Sequence, residues 1–182
     1  MTTGVVLGAC CGAVPVAQAD DPVRMLRLVD TAAQRLATAD PVAAYKWING
    51  GPITDTGRAN QVLDAVGSDA AARGIDPEYV RTIFENQIDA TEAIEYTRFG
   101  QWKFDPASAP TAAPELSQSR TAIDGFNEVM VSELALHWDS LHGPTCADEL
   151  SAATETVAVQ RELDDLYRRA LSSATRSYCE TT

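Results

Sequence analysis

The stretch that decides the fold spans residues 76–100 and reads DPEYVRTIFENQIDATEAIEYTRFG. It opens with Asp76 and Pro77, an order in which the carboxylate caps a helix and proline takes the first helical position, where its missing N–H is not needed. At about 100° per residue, its apolar side chains fall on one arc and its charged ones on the other. The apolar arc contains Val80, Ile83, Phe84, Ile88, Ala90 and Ile94, and the opposite side contains Glu85, Asp89, Glu92 and Ala93. The stretch predicts a long amphipathic helix that reaches about Gly100 or beyond.

Three polar residues interrupt the apolar arc of this helix. Gln87, Thr91 and Glu95 are spaced i, i+4, i+8, so their side chains line up one above another and face the core. Buried polar groups need hydrogen-bond partners, and a buried carboxylate needs a cation or a proton. The ladder indicates either a hydrogen-bonded core network without a ligand or one wall of a binding site, and the pattern alone leaves both open.

Helix signals recur along the rest of the chain, and no stretch shows convincing strand alternation. Asp–Pro pairs at residues 21–22 and 40–41 predict two further helix starts, and Asp55 caps a helix that ends near Gly74. Residues 105–114 contain three prolines and predict a loop, after which helices are expected over residues 116–141 and 145–178. We therefore predict an all-α single domain, a bundle of about six helices.

Composition limits the classes of partner. The chain has 182 residues, 45% of them hydrophobic, and 14 Lys and Arg against 26 Asp and Glu give a formal charge of -12. Such a surface repels nucleic acid and acidic lipid headgroups, so we predict neither as a partner. An anionic small molecule can bind only where several of the few cations converge in one pocket.

The first 19 residues are predicted to be a cleaved signal peptide. They carry no charged side chain, contain an apolar run too short for a bilayer span, and end in Ala17-Gln18-Ala19. No Lys or Arg precedes the apolar run, and a buried N-terminal helix or a lipoprotein signal around Cys10 are the alternatives. The predicted division is a signal peptide at residues 1–19 and a mature helical domain at 20–182, secreted or periplasmic.

Cleavage would leave two cysteines, Cys146 and Cys179, which predict a disulfide in an exported protein. The bridge would close a loop of about 34 residues and contribute roughly 4 kcal/mol at most. His137 and His142 lack the spacing of metal ligands, so no metal site is predicted.

Three cations are candidates to meet the polar ladder. Arg58 is unusual because a cation near a helix N-terminus opposes the helix dipole, so its position indicates a purpose other than helix stability. Arg35 lies at the border of the apolar face of its helix, and Lys46 lies between Tyr45 and Trp47. Exposure to solvent is the alternative for both.

Together these residues resemble the active-site series of the all-α, type II-like chorismate mutases. The resemblance covers nearly the whole mature chain, and the secreted subclass is further indicated by the signal peptide and by the string at residues 90–96. Its members, in order, are Arg35, Lys46, Asp55, Arg58, Thr91 and Glu95.

The resemblance implies an isomerase that converts chorismate to prephenate by a unimolecular Claisen rearrangement, without cofactor or metal. By the same resemblance, Arg35 and Arg58 would hold a substrate carboxylate, and Lys46 and Glu95 would flank the ether oxygen, where negative charge builds. For Glu95 to donate a hydrogen bond it must be protonated, and burial and Lys46 act on it in opposite directions. Thr91 would contact a carboxylate.

Recognition of the substrate's ring hydroxyl is only partly assigned. Asp55 would take it, but intracellular relatives have a Glu after the helix arginine where this chain has Ala59, and Gln87 or Gln61 are candidates to substitute. The secreted subclass supplies a later arginine from the same chain, matched here by Arg120. Arg24 and Arg27 are rivals for that role. The resemblance also implies a homodimer with a self-contained site in each protomer.

Two other functions are compatible with the sequence. One is a non-catalytic secreted binding protein that keeps the helical scaffold and uses its surface for a partner. The other is a disulfide-stapled structural protein without a ligand. Either should tolerate loss of single cations, whereas the enzyme should not.

Overall fold

The computed structural model describes Met1 and residues 25–179. Within this part of the chain the predicted all-α class is confirmed, with eight α-helices, a short 3-10 turn at Pro106–Ser108 and no strand. The helices are α1 Leu26–Ala37, α2 Ala39–Asn49, α3 Thr56–Ala72, α4 Pro77–Phe104, α5 Leu116–Leu136, α6 Trp138–Leu141, α7 Cys146–Gln160 and α8 Asp165–Ala174. The predicted signal peptide and the helix start at Asp21 lie outside the described residues.

Helix α4 is the centre of the bundle and packs on α2, α3 and α8, while α1 packs on α5, α7 and α8. The core forms where these faces meet, around Phe84 and Ile94 of α4, Leu36 of α1, Leu134 of α5 and Leu171 of α8, all fully buried. Full burial of such a side chain stabilises the fold by about 1.5–3 kcal/mol before conformational entropy is subtracted.

The start of α4 is confirmed. The Asp76 carboxylate accepts a hydrogen bond from the Glu78 backbone N–H at 2.9 Å, and Pro77 occupies the first turn. The Asp55 cap of α3 is also confirmed, because its Oδ1 accepts from the Arg58 N–H at 3.0 Å. Helix α3 ends at Ala72, and Gly74 then adopts a φ of 75°, a backbone conformation that favours glycine.

A helix begins within one residue of the predicted start at Asp40, but the prediction that Asp40 is its N-cap is wrong. Helix α2 begins at Ala39, one residue earlier, and Asp40 lies in its first turn. The Thr38 residue between α1 and α2 has helical dihedrals, so the chain turns without an extended capping residue. The Asp40 carboxylate instead accepts hydrogen bonds from the Arg98 guanidinium of α4, at 2.6 Å from Nε.

The two predicted C-terminal helices are each broken. Residues 116–141 divide at His137 into α5 and α6, and residues 145–178 divide into α7 and α8. In the second break Glu162 has a φ of 51°, and the Asp164 carboxylate caps α8 by accepting from the Tyr167 N–H at 2.8 Å.

The disulfide between Cys146 and Cys179 is confirmed, with a Cα–Cα distance of 5.7 Å. It ties the start of α7 to the segment after α8, where Tyr178 is fully buried. No described helix combines the length and apolar character needed to span a bilayer. Among residues 25–179, no group of three or more His, Cys, Asp or Glu side chains is arranged to hold a metal ion.

Candidate active site

A cavity of about 180 Å³ lies between α1, α2, α3, α4 and α5. Aliphatic side chains form much of its wall, and polar groups project between them. The aliphatic side chains are Val42, Ile53, Val62, Ile88, Leu116 and Ile123.

The cavity brings together every residue of the predicted site except Gln87. The residues that line it are Arg35, Lys46, Asp55, Arg58, Thr91, Glu95 and Arg120. They come from five helices and the loop before α3, so the site depends on the packing of the whole bundle. Gln61 and Arg27 do not line it, and Arg27 instead pairs with Glu133 at 3.2 Å. Arg24 lies outside the described residues.

Lys46 and Glu95 form a buried ion pair at one side of the cavity. The Lys46 Nζ donates to Glu95 Oε2 and to the Ile53 carbonyl, both at 2.8 Å, and only 4% of the Glu95 side chain is exposed. Burial raises the pKa of Glu95, because desolvation disfavours the carboxylate more strongly than Lys46 favours it. The pair therefore places an ammonium beside a carboxyl group that takes up a proton more readily than an exposed one.

Arg35 is the most deeply buried cation of the cavity, with 4% of its surface exposed. Its Nε donates to Asn127 Oδ1 at 2.8 Å, its Nη1 donates to Thr91 Oγ1 at 3.4 Å, and the guanidinium carbon lies 5.7 Å from the centre of the Phe84 ring. Burial lowers the pKa of Arg35 to about 10, so the side chain remains a cation at neutral pH.

Arg58 and Arg120 complete the cationic wall on the side of α3 and α5. Arg58 Nη2 pairs with the Asp124 carboxylate of α5, which explains a cation at the start of α3, because its side chain reaches across to another helix. Arg120 Nη2 lies 3.5 Å from Asp55 Oδ2, while Oδ1 of the same carboxylate caps α3. Asp55 therefore both starts a helix and orients a cation.

Sequence reasoning missed three residues of this region. Glu92 was predicted on the solvated face of α4; it is partly buried there, but it also lines the cavity, and its Oε2 accepts from Thr54 Oγ1 at 2.7 Å. Asn127 and Asp124 were not identified, because their roles come from contacts with Arg35 and Arg58 that span 92 and 66 residues of sequence.

Gln87 lies behind the cavity wall. It is fully buried, and its carboxamide faces the hydroxyl of Tyr178, whose pKa is raised by burial. The Gln87 backbone carbonyl accepts from the Thr91 hydroxyl at 2.7 Å. The predicted ladder thus faces the core as expected, but only Thr91 and Glu95 reach the cavity.

This arrangement suits an anionic ligand. Four cationic side chains surround a small, partly apolar space in a protein of formal charge -12, so the chain gathers four of its 14 Lys and Arg residues in one place. Donors fixed in a water-poor site stabilise charge that develops during a reaction more effectively than water does.

Comparison with known proteins identifies relatives with the same architecture. The family model described as chorismate mutase type II matches residues 26–96. The secreted chorismate mutase of Mycolicibacterium smegmatis is 52% identical over 180 residues, covering 98% of this chain and 99% of the relative. That of Mycobacterium tuberculosis is 51% identical, covering 91% of this chain and 83% of the relative. The crystal structure of a chorismate mutase from Burkholderia phymatum superposes with a TM-score of 0.82 at 29% identity, covering 88% of this chain and 98% of that one.

Proposed function

The chain belongs to the family of secreted chorismate mutases, and on that premise we propose how the residues of its cavity act on chorismate. The protein is an isomerase that converts chorismate to prephenate. The observation that carries the assignment of roles is the convergence of Arg35, Lys46, Arg58 and Arg120 on one cavity that also contains Glu95.

The substrate carries two carboxylates, and arginines suit them because the guanidinium binds a carboxylate through two parallel hydrogen bonds. In this proposal Arg35 holds one carboxylate from the bottom of the cavity and Arg58 assists, while Arg120 holds the second. The Thr91 hydroxyl adds a polar contact beside Arg35. These contacts fix the enolpyruvyl arm over the ring and thus lower the barrier by orientation.

Lys46 and Glu95 act at the bond that breaks. In the rearrangement the C–O bond of the ether cleaves as a C–C bond forms, and negative charge builds on the ether oxygen. The Lys46 ammonium and the neutral Glu95 carboxyl both donate to that oxygen. Their spacing of 2.8 Å allows one acceptor atom to lie near both.

Asp55 is proposed to accept a hydrogen bond from the ring hydroxyl of the substrate. Arg120 holds the Asp55 carboxylate in place for this contact. Gln87 does not line the cavity, so it makes no direct contact with substrate in this proposal. It supports the site indirectly. Its backbone carbonyl accepts a hydrogen bond from the Thr91 hydroxyl, and its side chain packs beside Tyr178.

The protein functions outside the cytoplasm, as the names of its secreted relatives and the Cys146–Cys179 disulfide indicate. We further propose a homodimer in which each protomer has its own complete site. All of the cations proposed to bind substrate come from one chain, which supports this independence. Exposed Phe104, Tyr96 and Ile48 provide apolar surface near the end of α4 and α2 that a second copy could cover.

The direct experiment is to add purified protein to chorismate and follow the product by NMR. The proposal predicts prephenate as the sole product. Arg35→Ala should lose turnover, whereas Arg161→Ala, which removes an arginine paired with Asp30 outside the cavity, should not. Chorismate that binds but is not converted would favour the non-catalytic binding protein instead.

A further inference from the structure

The cations of the cavity differ in the charge of their partners. Lys46 pairs with Glu95, Arg58 pairs with Asp124, and Arg120 pairs with Asp55. Each of these positive charges is at least partly compensated before a substrate arrives, so a substrate carboxylate must compete with a protein carboxylate for it.

Arg35 is held differently. Both of its hydrogen-bond acceptors, the Asn127 carboxamide at 2.8 Å and the Thr91 hydroxyl at 3.4 Å, are neutral. The groups that act on it through space are the Tyr178 hydroxyl, Arg58 and Asp124, and the last two are paired with each other. Arg35 is therefore fixed in orientation by neutral groups, and its positive charge is not compensated by a carboxylate in direct contact.

The residue type at position 127 accounts for this combination. An apolar side chain would leave a buried guanidinium N–H without a partner, which is costly. An aspartate would accept the same hydrogen bond but would neutralise the cation at a distance of 2.8 Å. Asparagine alone among residues of this shape accepts a hydrogen bond from the guanidinium Nε without adding a negative charge, and it leaves the Nη donors not bound to Thr91 available for a ligand.

We propose that Asn127 is a positioning residue that determines carboxylate affinity, because it orients Arg35 without neutralising it. This inference rests on the proposed function of the cavity. Asn127 does not line the cavity itself and acts only through Arg35.

The chain contains a matched control. Asn86 on α4 is equally buried, at 5% exposed against 6% for Asn127, and its Oδ1 accepts from Arg176 Nε at 2.6 Å. Asn86→Asp therefore introduces the same charge next to the same atom type, but outside the cavity. Any general cost of a buried aspartate appears in both variants.

The test compares KM and kcat for chorismate among the wild type, Asn127→Asp, Asn127→Ala and Asn86→Asp, with thermal unfolding as a check of folding. We expect Asn127→Asp to raise KM about tenfold or more, which corresponds to ~1.4 kcal/mol of binding. Its kcat should change less, because the Arg35 guanidinium stays in place to orient bound substrate and only its attraction for the carboxylate is weakened. Asn127→Ala should raise KM less than Asn127→Asp, and Asn86→Asp should keep KM within about twofold of the wild type.

Equal KM values for the wild type and Asn127→Asp would overturn the inference while leaving the proposed function intact. So would a rise in KM for Asn127→Ala as large as that for Asn127→Asp, because the effect would then come from lost geometry and not from charge. A wild-type protein that binds neither chorismate nor prephenate in calorimetry would overturn the proposed function and the inference together.

Discussion

Glu95 is the residue whose protonation state matters most for the proposed chemistry. It is 3% exposed and lies 2.8 Å from the Lys46 ammonium, so burial and the cation pull its pKa in opposite directions. Burial is the larger effect, and Glu92 adds to it, so the pKa is raised above 4.5. A neutral carboxyl can donate to the ether oxygen, whereas a carboxylate would repel the charge that develops there.

Activity should therefore depend on pH through Glu95. As the pH rises through the raised pKa of Glu95, the donor is lost and kcat should fall. Glu95→Gln keeps a neutral donor of similar shape at every pH, so this decline should disappear from its kcat profile. A Glu95→Gln variant without activity at any pH would count against the neutral carboxyl.

At the scale of single residues, periodicity predicted the polar ladder of α4 but not every polar side chain of this helix that faces the core, because Asn86 is also buried. The ladder at Gln87, Thr91 and Glu95 needed only the helical repeat. Asn127 and Asp124 could not be found in this way, because nothing local distinguishes them from other polar residues of α5. Their importance depends on which arginine the tertiary fold brings to them.

At the scale of helices, capping signals were reliable where the capping interaction is local. Asp55 and Asp76 bind N–H groups two or three residues ahead, and both helix starts were predicted. Asp40 carries the same Asp–Pro signal but pairs with Arg98, 58 residues away, while Thr38 continues the helical backbone. A long-range ion pair and a tight turn between α1 and α2 overrode the local preference.

The break between α7 and α8 provides a test at this scale. Asp164→Ala should remove the cap of α8 and lower the free energy of unfolding by about 1 kcal/mol, because the Tyr167 N–H loses its acceptor. Asp164→Asn keeps a capping oxygen and should cost much less. Chemical denaturation measures both, and equal stability of Asp164→Ala and the wild type would show that the cap is not needed to start the helix.

The molecule as a whole combines a net negative charge with a cavity that contains four cationic side chains. Its formal charge of -12 excludes general attraction of anions, so selectivity must come from the few cations that the bundle gathers from separate helices. In the sequence, the resemblance to the family's active-site series implied that these cations lie close together. Only the packed helices could test this, because the cations come from separate helices.

The disulfide acts on the whole chain as well. Reduction of the bond between Cys146 and Cys179 should lower the free energy of unfolding by up to about 4 kcal/mol, because the unfolded chain regains the freedom of a long loop. Urea denaturation with and without reductant measures the difference. The double variant Cys146→Ser, Cys179→Ser should be insensitive to reductant, and an unchanged wild-type midpoint on reduction would argue against a stabilising role.

The central claim is that the gathered cations perform the chemistry, and kcat for chorismate conversion by two lysine variants tests it most directly. Lys46→Met removes the ammonium proposed to bind the ether oxygen, whereas Lys103→Met removes the same charge from an exposed residue that does not line the cavity. We predict that Lys46→Met lowers kcat by about 10²-fold or more, the usual cost of losing one such donor, with Lys103→Met unchanged. Similar kcat values for the two variants would contradict the account.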